Sequence, residues 1–178
     1  MAAGERIRLF CALQLPADTI EQLAVWQQAH LAGGRLVPAE SLHVTLAFLG
    51  HRPVSELAAI EAELRAAGPL HEPVGLEPRR YRETRSVGML VFDDLRGAGA
   101  ALANDLGARL ERLGAYRREA RPWLPHVTVL RFRERPRLQP PVPALGRFSA
   151  VRAALYRSAL GPGGARYDVL ESVGLGGR

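Results

Sequence analysis

The stretches SLHVTLAFLG, Ser41 to Gly50, and WLPHVTVLRF, Trp123 to Phe132, share a His-Val-Thr triplet. His43 and Thr45 stand two apart in the first, His126 and Thr128 in the second. Imidazole titrates near neutrality, so it can give or take a proton there. On an extended chain, a hydroxyl two residues away points to the same side. Two such pairs facing one cleft supply a general base, a general acid and two neutral donors. Phosphodiester cleavage needs that set. One histidine deprotonates the attacking water or hydroxyl, the other protonates the departing oxygen on the far side of phosphorus, and the threonines donate to the nonbridging oxygens. A single strand histidine is as well explained by a hydrogen-bonded place in the core; the matched pair is what favours chemistry. These residues alone leave the acid and base roles interchangeable.

Rival chemistries fit less well. Two imidazoles with threonines are too few good ligands for a metal, and Glu40 and Glu134 fall outside the two apolar runs, so no metal is expected. No GxSxG elbow is present. All 24 basic residues are arginine. Without lysine there is no Walker lysine, no Schiff base and no lysyl-adenylate intermediate. GPGGA, Gly161 to Ala165, lacks the lysine and the following helix of a phosphate loop and reads as a turn. The other histidines have plain readings: His30 at a helix end, His51 after a strand and His71 in a proline-flanked loop.

Several elements must position the pair. Arg6 to Leu15 reads as a strand stopped by Pro16. Asp18 then caps a helix that places Ile20, Leu23, Ala24 and Gln27 on one face and stops at Gly33-Gly34. A short strand, Arg35 to Val37, precedes the first His-Val-Thr strand. A second helix starts at Ser55 and stops at Gly68-Pro69. Strands follow near Val74 to Arg79 and Ser86 to Phe92, then a third helix from Leu95 to Leu113, then the second His-Val-Thr strand. The proline-rich tract Arg133 to Leu145 is a loop. Two last strands, Phe148 to Leu160 and Arg166 to Val173, form a hairpin. This order predicts an α+β protein with mainly antiparallel sheets. The two motif strands lie near the ends of the two halves of the chain, so each half is expected to form a lobe giving one strand to a shared cleft. Strict alternation puts Arg131 on the opposite face from His126, and Phe48 on the face opposite His43, as core.

A chain of 178 residues, 47% hydrophobic and 24% charged, can build one substantial core, and one domain over residues 1–178 is expected. No run of about 18 apolar residues could span a bilayer. The start MAAGERIRLFCALQLP lacks the parts of a signal peptide, so a cytoplasmic, membrane-free protein is expected. The lone Cys11 agrees, reading as a core residue of the first strand. A net charge of +6 suits a polyanionic partner. The arginines from Arg131 to Arg137 are a candidate backbone contact, or equally a solvated basic loop.

The two motifs resemble those of the two-histidine (2H) phosphoesterases, most closely the bacterial RNA 2',3'-cyclic phosphodiesterases first described as 2'-5' RNA ligases. RLFCALQLP resembles the family's opening strand, LVPAESLHVTLAFLG its first motif, RPWLPHVTVLR its second and LGPGGARYDVL its closing hairpin. The resemblance implies a bilobal α+β fold with two mainly antiparallel sheets around a central cleft. It implies metal-free hydrolysis of RNA 2',3'-cyclic phosphate ends to 2'-phosphates; no cofactor is expected, and a monomer is expected although nothing in the residues fixes the oligomeric state. His43 is then the acid and His126 the base, with Thr45, Thr128 and Arg131 binding the phosphate. An ATP-independent 2'-5' ligase running the reverse reaction, and an RNA-binding module without catalysis, are the alternatives. Binding that survives loss of both histidines would mark the module.

Overall fold

The structure is a computed structural model and describes residues 4–176, so the ends of the expected 1–178 domain lie outside the described residues. Two antiparallel sheets and three helices make up the fold. The strand β1 (Arg6–Gln14) is central in the first sheet, paired with β3 (Val44–Pro53) on one side and β8 (Arg152–Gly161) on the other. Leu9, Cys11 and Leu13 of β1 point into the core and are fully buried. The outermost strand is β9 (Gly164–Gly174), so the order is β3-β1-β8-β9. The second sheet has the order β2-β6-β5-β4-β7, from β2 (Arg35–Leu36), β6 (His126–Arg131), β5 (Val87–Leu95), β4 (Val74–Glu83) and β7 (Phe148–Ala150).

The lobes are therefore not the halves of the chain. β2 leaves the N-terminal half to pair with β6, while β8 and β9 return from the C-terminal end to β1. The expected strand Phe148 to Leu160 is likewise two strands in two sheets, broken at Val151: β7 pairs with β4 and β8 with β1. The run of strand-compatible residues continues through the break, although Val151 and Arg152 are both exposed between buried Ala150 and Ala153, and composition does not show a change of hydrogen-bond partner. GPGGA does form the turn of the β8-β9 hairpin.

Helix α1 (Ala17–His30) begins directly after Pro16, and Asp18 stands inside its first turn rather than at its cap, its carboxylate accepting from the Thr19 amide at 2.9 Å. Proline, with φ preset near −60° and no N–H to lose, suffices as the leading residue. Helix α2 (Leu57–Ala67) follows a 3-10 turn, Val54–Glu56. Helix α3 (Ala98–Arg112) starts later than expected because β5 runs on to Leu95. Asp94 turns the corner: its carboxylate accepts from the amides of Gly99 at 3.0 Å and Ala100 at 2.8 Å, satisfying two free N–H groups of the first turn. Leu23 of α1, Ile60 and Leu64 of α2, and Leu102 and Leu106 of α3 join strand residues of both sheets in one buried apolar cluster. Cys11 lies in this cluster, and burial pushes its thiol up to about 12. Among the described residues no helix is long and apolar enough to cross a membrane.

Candidate active site

The two histidines are held in the same way. His43 stands one residue ahead of β3, and its Nδ1 lies 2.7 Å from the Ser41 carbonyl; His126 opens β6, with Nδ1 2.8 Å from the Leu124 carbonyl. A carbonyl only accepts, so each Nδ1 carries the hydrogen and each Nε2 is left for proton transfer. In the neutral ring Nε2 is an acceptor, and Thr45 Oγ1 donates to that of His43 at 3.0 Å. Each anchoring carbonyl lies two residues back, where the chain enters its strand: Ser41 closes a 3-10 turn, and Leu124 precedes Pro125.

Register decides which neighbours join them. β6 carries one extra residue against β5: Leu90 pairs Val127 and Met89 pairs Thr128, but Gly88 pairs Leu130, leaving Val129 as a bulge. A bulge reverses parity beyond it. Arg131 thus lies on the face of His126 and Thr128, and the expectation that it lies opposite is corrected. Gln27, 2% exposed on α1, donates to the bulged Val129 carbonyl at 2.7 Å and to the Val37 carbonyl at 3.0 Å; the Val37 amide also donates to Val129 O, at 3.1 Å. The same device recurs in β3. Ala12 of β1 pairs Thr45 and Cys11 pairs Ala47, so Leu46 is bulged, and a second bulge falls at Leu49. Ala47 is consequently buried, whereas Phe48 is turned out beside Thr45 and is 47% exposed. Phe48 is not core, and the Arg8 guanidinium lies 4.7 Å from its ring centre.

The two motif strands meet through Trp123, whose indole N–H donates to the Thr45 carbonyl at 2.9 Å. The same ring lies against Gly99 on α3, where a Cβ would collide with it. A cleft of about 460 Å³ opens beside this bridge, lined by Thr45, Phe48, Arg82, Tyr116, Trp123 and His126.

His43 is packed against Phe10, with ring centres 4.8 Å apart, and edge-on against Tyr167 at 5.4 Å; Phe10 in turn stacks on Tyr156 at 5.0 Å. Burial lowers the His43 pKa from 6.5 to about 4. The Ser41 hydrogen bond opposes this, and the nearby charges of His126 and Arg131 add to it. His43 is therefore neutral at pH 7.

The aromatic floor of Phe10, Tyr156 and Tyr167 was not legible as part of the site, because three separate strands supply it. Cross-strand pairing Phe10–Tyr156 and Ser158–Tyr167 sets it. Gln27 carried a weak signal, a polar residue on the apolar face of its helix. Of the histidines, His126 lines the cleft and His43 reaches it through its hydrogen bond with Thr45; His71 pairs with Asp105 at 2.8 Å. Among the described residues no group of three or more His, Cys, Asp and Glu side chains is arranged to hold a metal ion.

Two antiparallel sheets that each give a His-Val-Thr strand to one cleft define a two-histidine phosphoesterase. Comparison with known proteins agrees: residues 13–77 match the family model described as LigT like phosphoesterase. The chain is 32% identical to the RNA 2',3'-cyclic phosphodiesterase of Escherichia coli K12, over 97% of this chain and 98% of that one. It is also 32% identical to the RNA 2',3'-cyclic phosphodiesterase of Thermus thermophilus, over 96% and 91%. The chain belongs to the LigT-like phosphoesterase family. Crystal structures agree in fold: apo E. coli LigT superposes with a TM-score of 0.79 at 30% identity, covering 96% of this chain and 98% of that one. A Thermus thermophilus structure gives 0.82 at 31%, covering 96% and 99%. E. coli LigT complexed with 3'-AMP gives 0.78 at 29%, covering 96% and 99%.

Proposed function

We propose that this protein hydrolyses RNA 2',3'-cyclic phosphate ends to 2'-phosphomonoesters, without metal or cofactor, as a cytoplasmic monomer. The observation that carries the reading is the matched anchoring of His43 and His126, each with Nδ1 fixed on a carbonyl and Nε2 left for chemistry. The names and activities of the relatives supply the substrate class.

Water attacks phosphorus as the Nε2 of His126 takes its proton. The bond from phosphorus to the 3' oxygen breaks, and His43 gives that oxygen a proton. Thr45, Thr128 and Arg131 donate to the nonbridging oxygens, where charge accumulates. An acid must be charged beforehand, and His43 by itself is neutral at pH 7. The bound phosphate anion supplies the remedy, since a negative charge beside the ring favours imidazolium. Substrate binding thus loads the acid. The exposed Phe48 ring offers its face to the terminal base.

Phosphorus NMR of the products from a cyclic-ended nucleotide, with and without EDTA, tests the reading. The expected product is the 2'-phosphate at an unchanged rate in EDTA. A 3'-phosphate as main product means that the acid and base roles are exchanged. Activity lost in EDTA and restored by one divalent ion removes the metal-free mechanism.

A further inference from the structure

The cleft face of the second sheet continues beyond the histidine. Direct pairing places Arg82 of β4 opposite Met89 of β5, and Met89 opposite Thr128 of β6; Arg80, Val91 and His126 form the next row. Residues paired across strands share a face, so Arg80 and Arg82 lie on the face of His126 and Thr128, two strand spacings or about 10 Å away. Both are exposed, and neither forms an ion pair among the described residues. Tyr81 and Glu83 point to the other face.

β4 also has an open edge there. β7 pairs only with Val74, Gly75 and Leu76, so the stretch from Glu77 to Glu83 has no outer strand. The proline-rich loop comes up to this edge, because the Glu83 carboxylate accepts from the amides of Arg137 at 3.0 Å and Leu138 at 2.8 Å. A hollow of about 780 Å³ lies between them, lined by Arg80, Arg82, Glu83, Arg135 and Arg137 among others. Its one carboxylate is taken up by the loop amides, Tyr81 and Arg135, which leaves Arg80, Arg82 and Arg137 as uncompensated cations. Arg82 lines both this hollow and the cleft, so the two adjoin at its side chain.

We propose that the RNA strand leading to the cyclic end leaves the cleft over Arg82 and lays its preceding phosphates along the open edge of β4, against Arg80, Arg82 and Arg137. A guanidinium fork suits a phosphate, and several in a row track a backbone without reading sequence. The inference rests on the proposed activity and extends it from the scissile end to the body of the substrate.

The test compares 2',3'-cyclic AMP with a ten-nucleotide RNA ending in a 2',3'-cyclic phosphate, using the native protein and the double variant Arg80→Ala/Arg137→Ala. Both substituted side chains are exposed, and an unchanged melting temperature confirms the fold. The native protein is expected to show a lower KM for the oligonucleotide than for the mononucleotide. The variant should raise the oligonucleotide KM about tenfold and leave turnover of the mononucleotide within about twofold. The slope of log affinity against log salt for the oligonucleotide should fall by about 1.4, two contacts at roughly 0.7 each. An unchanged oligonucleotide KM in the variant, or an equal loss on both substrates, overturns the proposed path. A native protein that hydrolyses neither substrate overturns the activity itself, a result distinct from loss of the path alone.

Discussion

Arg131 and His126 lie on the same face of β6 although an odd number of residue steps separates them, because Val129 is bulged out of the ladder. The buried amide of Gln27 holds the bulged carbonyl. A helix on one face of the sheet thereby sets which side chain reaches the other.

Gln27→Leu, which keeps the volume but not the donor, is expected to lower kcat about tenfold, the scale of one hydrogen bond to a charged group misplaced. Arg131→Ala should cost about a hundredfold, as for a lost anion donor. If Gln27 acts through Arg131, its substitution changes little further in the Arg131→Ala background. Fully additive losses in this double-mutant cycle would show that Gln27 acts independently of Arg131.

His43→Ala and His126→Ala should each reduce turnover of a cyclic-ended nucleotide by at least about a hundredfold, with melting little changed. Each ring makes one backbone hydrogen bond and remains partly exposed, so its loss opens no large cavity. A folded variant of either kind that kept its activity would end the acid-base pair.

Followed by NMR in the empty protein, His43 should titrate near pH 4 and shift upward when phosphate or a 2'-nucleotide binds. Its folded pKa lies below the unfolded value near 6.5. Above pH 6.5 the ring is neutral in both states and costs nothing. As the pH falls from 6.5 towards 4 only the unfolded chain takes the proton, so stability declines across that window. His43→Gln should flatten the decline. A midpoint near 6.5 without ligand would contradict the burial that sets the acid's dependence on substrate.

The Glu83 side chain is 2% exposed. Burial raises its carboxyl pKa, but the hydrogen bonds from Leu138, Arg135, Tyr81 and Arg137 outweigh this and hold it below the usual range. Glu83→Ala leaves those donors without their acceptor and should cost about 2 kcal/mol in denaturant unfolding. It should also speed proteolytic cleavage within residues 133–145. Equal cleavage rates in variant and native protein would mean that the loop is held elsewhere.

What the sequence by itself determined was local. The His-Val-Thr pairs, the threonines two residues on, the three helices and the GPGGA turn follow from side-chain type, alternation and backbone preference within a few residues. The candidate site residues could be singled out because a strand presents residues i and i+2 to one side whatever it pairs with. Tertiary structure decided everything that depends on the partner. Val129 and Leu46 look like any other apolar strand residue, and only a neighbouring strand one residue shorter makes either a bulge, turning Arg131 to the face of His126 and Phe48 towards the cleft. In the same way, nothing local tells Phe148–Ala150 to join β4 and Arg152–Gly161 to join β1. Backbone hydrogen bonds between strands are alike for every sequence, so their register and partners are chosen by the packing of the whole core.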